Sequence, residues 1–256
     1  MTSTADVSPH QAAGEPTRPH LSAEEAAKQR LIVALDFPSG AEAIAMAERL
    51  QGPCTWMKVG LELYLAAGQK IVDDLKRLGF SIFLDLKLHD IPNTVAGAVR
   101  SVAASGASLL TVHASGGPAM LFAAAEAAAK IQDAPRLLAV TVLTSMNEQE
   151  LLATGISATP GERVLQLGKM AMEAGVAGLV CSPLETAFLR SSLGASPLLV
   201  VPGIRSATDA KGDQSRTASP VEAIASGASM LVVGRPITTA SDPAEAAVRI
   251  LQQIAL

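Results

Sequence analysis

In the stretch FLDLKLHDIPNT, from Phe83 to Thr94, Asp85, Lys87 and His89 alternate with Leu84, Leu86 and Leu88. Side chains on a β-strand alternate between faces, so the three polar groups share one face and the leucines take the other. In a parallel sheet or barrel the leucine face packs on helices, which turns the charged face towards a polar interior or mouth. Burying an unpaired charge is costly, so Asp85 and Lys87 are expected to pair with each other or with close partners. An ammonium fixed among carboxylates is suited to deliver a proton to a developing carbanion, which makes Lys87 the candidate proton donor. Pro92 then stops strand pairing, and Asn93 or Thr94 is available to cap a following helix.

The elements that must position these groups follow from hydrophobic periodicity. Short β-rich runs at 31–37, 55–60, 81–88, 108–114, 136–143, 177–182, 198–204 and 229–237 alternate with longer, alanine-rich amphipathic segments. Eight strand-helix units in 256 residues predict an α/β fold, a single (β/α)8 TIM barrel over residues 26–256, since such a barrel takes about 250 residues. A doubly wound open sheet would more often stop at five or six strands. Residues 1–25 are rich in Pro, Ser, Thr, Ala and Gly without apolar periodicity, and predict a flexible tail.

Polar residues then gather at the carboxyl ends of the predicted strands: Asp36, Lys58, Asp85 and Lys87, His113, Thr144, Arg205 and Arg235. Barrels bind their ligands at that end. Each residue alone has a plain explanation, a cap for an Asp, a solvated side chain for a Lys, or an ion cluster that only fastens the barrel. As a set they favour a site, because desolvating paired ions often brings no net stability. In GRPI, Gly234 lets backbone N–H groups approach an anion, beside the guanidinium of Arg235. The loop GIRSATDAKGDQSRTASP adds Arg205, Gln214 and Arg216, and its length and Gly and Ser content suit a mobile lid over a phosphate.

Composition narrows the ligand. Hydrophobic residues make up 49% of the chain and aromatic ones 3%, enough for a large aliphatic core but little for stacking on nucleic-acid bases. A net charge of -4 argues against a general polyanion binder and leaves room for one small phosphorylated ligand. Cys54 and Cys181 lack the spacing of a zinc or redox motif and read as reduced, buried thiols. No run approaches the roughly 20 apolar residues of a membrane span, and the N-terminus lacks a signal core. A soluble cytoplasmic protein is expected. No nucleotide-binding glycine motif is present, and the histidines have no mutual ligand spacing. No metal or organic cofactor is therefore expected, and His89 and His113 read as hydrogen-bonded supports.

In order along the chain, ALDF, MKVG, FLDLKLHDIPNT, TVLTSM, PGIR with GDQ-x-R, and LVVGRPI closely resemble the bacterial-type orotidine 5′-phosphate decarboxylase family, from about Leu31 to the C-terminus. The resemblance implies cofactor-independent decarboxylation of orotidine 5′-monophosphate to UMP and CO₂, the last step of UMP synthesis. It makes Lys87 the proton donor and sets Asp85 beside the substrate carboxylate. It assigns Asp36 and Lys58 to the ribose hydroxyls and the charge network. Thr144 becomes a substrate contact, with Ser145 near the base edge, and Arg205, Gln214, Gly234 and Arg235 become the phosphate grip. It also implies a homodimer in which Asp90 and Thr94 reach into the neighbour's site. Rival readings are a metal-dependent sugar-phosphate decarboxylase or aldolase sharing the D-x-K-x-x-D core, a Schiff-base aldolase using Lys87, and a non-catalytic phosphate-ligand sensor. The metal-dependent relatives should carry a carboxylate ligand soon after the core, where this chain has Ile91, Pro92, Asn93 and Thr94.

Overall fold

A computed structural model describes residues 21–205 and 217–256. Its strands are β1 (Leu31–Leu35), β2 (Trp56–Gly60), β3 (Ser81–Leu88), β4 (Leu109–His113), β5 (Arg136–Val140), β6 (Gly178–Val180), β7 (Leu198–Val201) and β8 (Met230–Val233). They pair in parallel in chain order, and β8 closes on β1 through Leu31↔Leu231 and Val33↔Val233, giving an eight-stranded closed barrel. The helices are α1 (Ala23–Lys28), α2 (Gly40–Arg49), α3 (Leu61–Ala67), α4 (Gln69–Arg77), α5 (Pro92–Ala103), α6 (Gly117–Ala129), α7 (Glu148–Ala153), α8 (Pro160–Glu173), α9 (Pro183–Leu193), α10 (Pro220–Ala225), α11 (Arg235–Thr238) and α12 (Pro243–Ile254). The expected (β/α)8 architecture is the one observed.

Strand parity divides the core in two. Ile32, Ala34, Phe83, Leu109, Leu138, Val200, Met230 and Val232 point inward and fill the barrel. The alternate residues, among them Val33, Met57, Leu84, Leu110 and Leu231, pack outward on the helices. Continuing the inward set by two residues reaches Asp36 from Ala34 and Asp85 from Phe83, so the period of two carries an apolar interior up into a polar mouth. Several helices begin at a side-chain cap: Ser39, Thr159, Ser219 and Asp242 each accept the backbone N–H three residues on.

The structure corrects several sequence expectations. Strands predicted to end at 37, 143 and 237 end at Leu35, Val140 and Val233. Arg235 does not end β8 but opens α11, because Pro236 has no N–H for a ladder and its fixed φ suits a first helical turn. Neither Asn93 nor Thr94 caps α5; the extended residue before it is Ile91, and Pro92 stands in the first turn without a side-chain cap. The segment after β2 is two helices split at Gly68, whose φ of 62° a residue with a Cβ rarely adopts. Near the N-terminus, Ser22 and Glu25 form a capping box for α1, which packs against α12 and occupies the end of the segment read as a tail.

The largest departure lies in β3. Its pairing with β4 runs from Leu84↔Leu110 to Leu88↔Val112, so β3 spends four residues where β4 spends two. This is a bulge, and within it Lys87 has a left-handed φ of 50°. Simple alternation thus holds as far as Asp85 and then breaks.

Between β6 and β7, Gly178 pairs with Leu198 and leaves no room for a side chain. A Cβ at Gly178 would stand 2.6 Å from the Leu198 Cβ and 2.9 Å from its Cα. Because those atoms belong to a strand and cannot swing aside, Gly178→Ala is expected to destabilise the fold by about 1–3 kcal/mol. Urea unfolding measures this, and an unchanged midpoint would show that the two strands separate without cost.

Candidate active site

The carboxyl ends of the strands enclose a cavity of about 490 Å³, within the usual range for small ligands. Asp36, Lys58, Asp85, Lys87, Thr144, Arg205, Gly234 and Arg235 line it. Below them Phe83, Val140, Val180 and Val232 form an apolar floor that is also the top of the barrel core.

Four charges alternate along one wall. Lys58 Nζ lies 2.9 Å from Asp36 Oδ1 and 3.9 Å from Asp85 Oδ2, and Lys87 Nζ lies 2.9 Å from Asp85 Oδ1. Lys58 is the buried member, only 8% exposed, whereas the Asp36 side chain remains 63% exposed. A buried ammonium needs such partners, because without them it would stand as an uncompensated charge in low dielectric. Thr111, fully buried on β4, joins the same wall: its Oγ1 donates to Asp85 Oδ1 at 3.1 Å and accepts the Lys87 N–H at 2.8 Å.

Two of these positions escaped the sequence analysis. Thr111 is one; it stands two residues before His113 and so shares its inward parity, which was the available signal. Gly60 is the other, since a Cβ there would come within 2.9 Å of Lys58 Nζ and 3.5 Å of Asp36 Oδ1. At Gly234 an added Cβ would meet Ala34 Cβ at 3.5 Å and Asp36 Oδ2 at 3.7 Å, ordinary contacts. Packing therefore does not require that glycine.

Other predicted residues are not drawn into this cavity. Ser145 is exposed and outside the lining. Asp90 and Thr94 are exposed beyond the end of β3, where Asp90 Oδ1 accepts the Ile91 N–H at 2.6 Å. Gln214 and Arg216 lie outside the described residues. Burial pushes both cysteine thiols up to about 12, which keeps Cys54 and Cys181 protonated. Among the described residues no helix is long and apolar enough to cross a membrane.

Comparison with known proteins accords with this geometry. Residues 29–250 match the family model described as Orotidine 5′-phosphate decarboxylase / HUMPS family. A protein of Alkalilimnicola ehrlichii named orotidine 5′-phosphate decarboxylase is 50% identical over 226 residues, which cover 88% of this chain and 96% of the relative. One of the same name from Anaeromyxobacter dehalogenans is 52% identical over 219 residues, covering 86% and 95%. The crystal structure of orotidine 5′-phosphate decarboxylase from Lactobacillus acidophilus superposes with a TM-score of 0.79 at 38% identity, over 88% of this chain and 99% of that one.

Beside the cavity, the His89 and His113 rings stack with centroids 5.2 Å apart and planes at 21°. His113 Nδ1 sits 2.6 Å from Ser115 Oγ. Burial, then the proximity of His89 and Lys87, holds the His113 pKa below its ordinary value of 6.5. The unfolded chain therefore takes up this proton first. The stability tied to neutral His113 is complete above the unfolded value and is lost as pH falls below it, through the lower folded value. Between about pH 7 and about pH 5 the native protein is expected to lose more thermal stability than His113→Gln. Parallel melting curves for the two would remove His113 from the acid response.

Proposed function

The chain belongs to the orotidine 5′-phosphate decarboxylase / HUMPS family, and from that premise we propose that its barrel mouth decarboxylates orotidine 5′-monophosphate in UMP synthesis, with Lys87 as the proton donor. The observation that carries this reading is the alternating wall of Asp36, Lys58, Asp85 and Lys87 over an apolar floor.

Loss of CO₂ leaves an electron pair on C6 of the pyrimidine, which has no ordinary electron sink. A fixed ammonium next to that carbon stabilises the developing charge because it needs no reorganisation as the charge forms. The Lys87 ammonium then transfers a proton to C6, giving UMP, and the resulting amine regains a proton from solvent. Asp85 faces the departing carboxylate, a like-charge contact relieved as neutral CO₂ leaves. Asp36 and Lys58 are assigned to the ribose hydroxyls and Thr144, which lines the cavity, to the base, whereas Ser145 stands outside the lining. Arg205, Gln214, the Gly234 N–H and Arg235 are assigned to the phosphate. Binding energy from that remote group assists the chemical step as well as the affinity.

The purified, EDTA-treated protein should consume orotidine 5′-monophosphate, read as the loss of its ultraviolet absorbance. Inactivity restored by a divalent metal would favour the metal-dependent branch of the family instead. Lys87→Ala should lose nearly all CO₂ release while still binding UMP. Normal turnover by that variant would sink the proton-donor role.

Asp90 and Thr94 are assigned to a second subunit's site in a homodimer. Their exposure outside their own cavity supports this, as does the neighbouring Ile91, an apolar side chain 67% exposed. Mixing inactive Lys87→Ala and Asp90→Ala subunits should restore activity in the hybrid dimers, each of which holds one complete site. No recovery in demonstrably mixed dimers would rule out sharing.

A further inference from the structure

We propose that Thr111 is a positioning residue for this reaction, its hydroxyl tying the backbone of Lys87 to the carboxylate of Asp85 so that ammonium and carboxylate reach the reacting carbon as one unit. The proposal rests on the decarboxylase reading above.

The bulge in β3 creates the need for such a tie. Between Leu84 and Leu88 the regular pairing with β4 is interrupted, which leaves the Lys87 N–H without a ladder acceptor. Lys87 also has a φ of 50°, a conformation disfavoured for any residue with a Cβ. Something in the surroundings must hold it there.

Thr111 supplies the missing partner. A hydroxyl has one proton and two acceptor lone pairs. Here Oγ1 accepts the Lys87 N–H at 2.8 Å and directs its own proton to Asp85 Oδ1 at 3.1 Å. Asp85 Oδ1 also accepts from Lys87 Nζ at 2.9 Å. The three contacts close a ring from the Lys87 backbone through Thr111 and Asp85 back to the Lys87 ammonium. Both ends of Lys87 are thereby referred to one atom of β4, and the complete burial of Thr111 keeps water from competing. Asp85 Oδ2 remains turned towards Lys58, 3.9 Å away.

A nearby residue provides the contrast. Thr141 is also buried, at 1% exposure, but its Oγ1 donates to the Val180 backbone carbonyl at 3.2 Å and touches none of the four charges. It links two strands and nothing more.

The test compares turnover with affinity for the product. Thr111→Val keeps the shape and removes both hydrogen bonds; kcat for orotidine 5′-monophosphate should fall about 10- to 100-fold while UMP affinity stays within about threefold. Thr111→Ser should recover kcat to within about fivefold of the native value, and Thr141→Val should change it by less than about threefold. Unchanged kcat in Thr111→Val would overturn the proposal, as would parallel losses of kcat and UMP affinity or no recovery with serine. If the valine variant does not fold, Thr111→Ala removes the hydroxyl without adding bulk and is read by the same criteria. Inactivity of the native protein on orotidine 5′-monophosphate would instead defeat the decarboxylase reading, and that result precedes any variant.

Discussion

Lys58 brings a positive charge to the top of an apolar barrel with almost no water around it, and much of the mouth is arranged to meet that condition. Its ammonium is shared between Asp36 at 2.9 Å and Asp85 at 3.9 Å. Gly60 leaves the space in which that ammonium sits. The second oxygen of Asp85 is then free for Lys87, which extends the alternation from the buried wall into the cavity. Lys58 contacts both aspartates and Asp85 contacts both lysines, so the four residues form a unit rather than two separable pairs.

The barrel makes that unit possible by geometry. Parallel strands in one register bring inward-facing positions to common heights, so Ala34 stands beside Lys58 and Lys58 beside Phe83. Residues far apart in sequence thus become neighbours at the mouth with no long loop involved. The bulge in β3 is the exception to this regularity. Lys87 departs from the regular pleat there, and its ammonium still meets the Asp85 carboxylate at 2.9 Å. A left-handed lysine is tolerable there because the hydrogen bonds it donates to Thr111 of β4 and to Asp85 hold it on both sides.

The strand ends also divide the work of the site. The charged wall comes from β2, β3 and the residue just after β1. The residues assigned to phosphate follow β7 and β8, and because β8 closes on β1 the Gly234 end of this group borders Asp36. At Gly234 the neighbours leave room for a Cβ, so packing alone does not require glycine there.

Much of this was legible in the amino-acid order. Strand and helix alternation gave the barrel, because a period of two and a period of 3.6 are local properties that buried and half-buried elements must display. Polar residues at the carboxyl ends of strands gave Asp36, Lys58, Asp85, Lys87, Arg205 and Arg235, since the fold directs those ends to one mouth. The tertiary structure decided what depends on partners outside the local chain. It showed that β3 bulges against β4, that Thr111 answers the bulge, and that Gly60 borders the Lys58 ammonium. It also turned Arg235 from a strand end into a helix start and set Asp90 and Thr94 outside their own cavity. A hydrogen-bond register and a contact distance are properties of two segments at once, and no single stretch of sequence contains both.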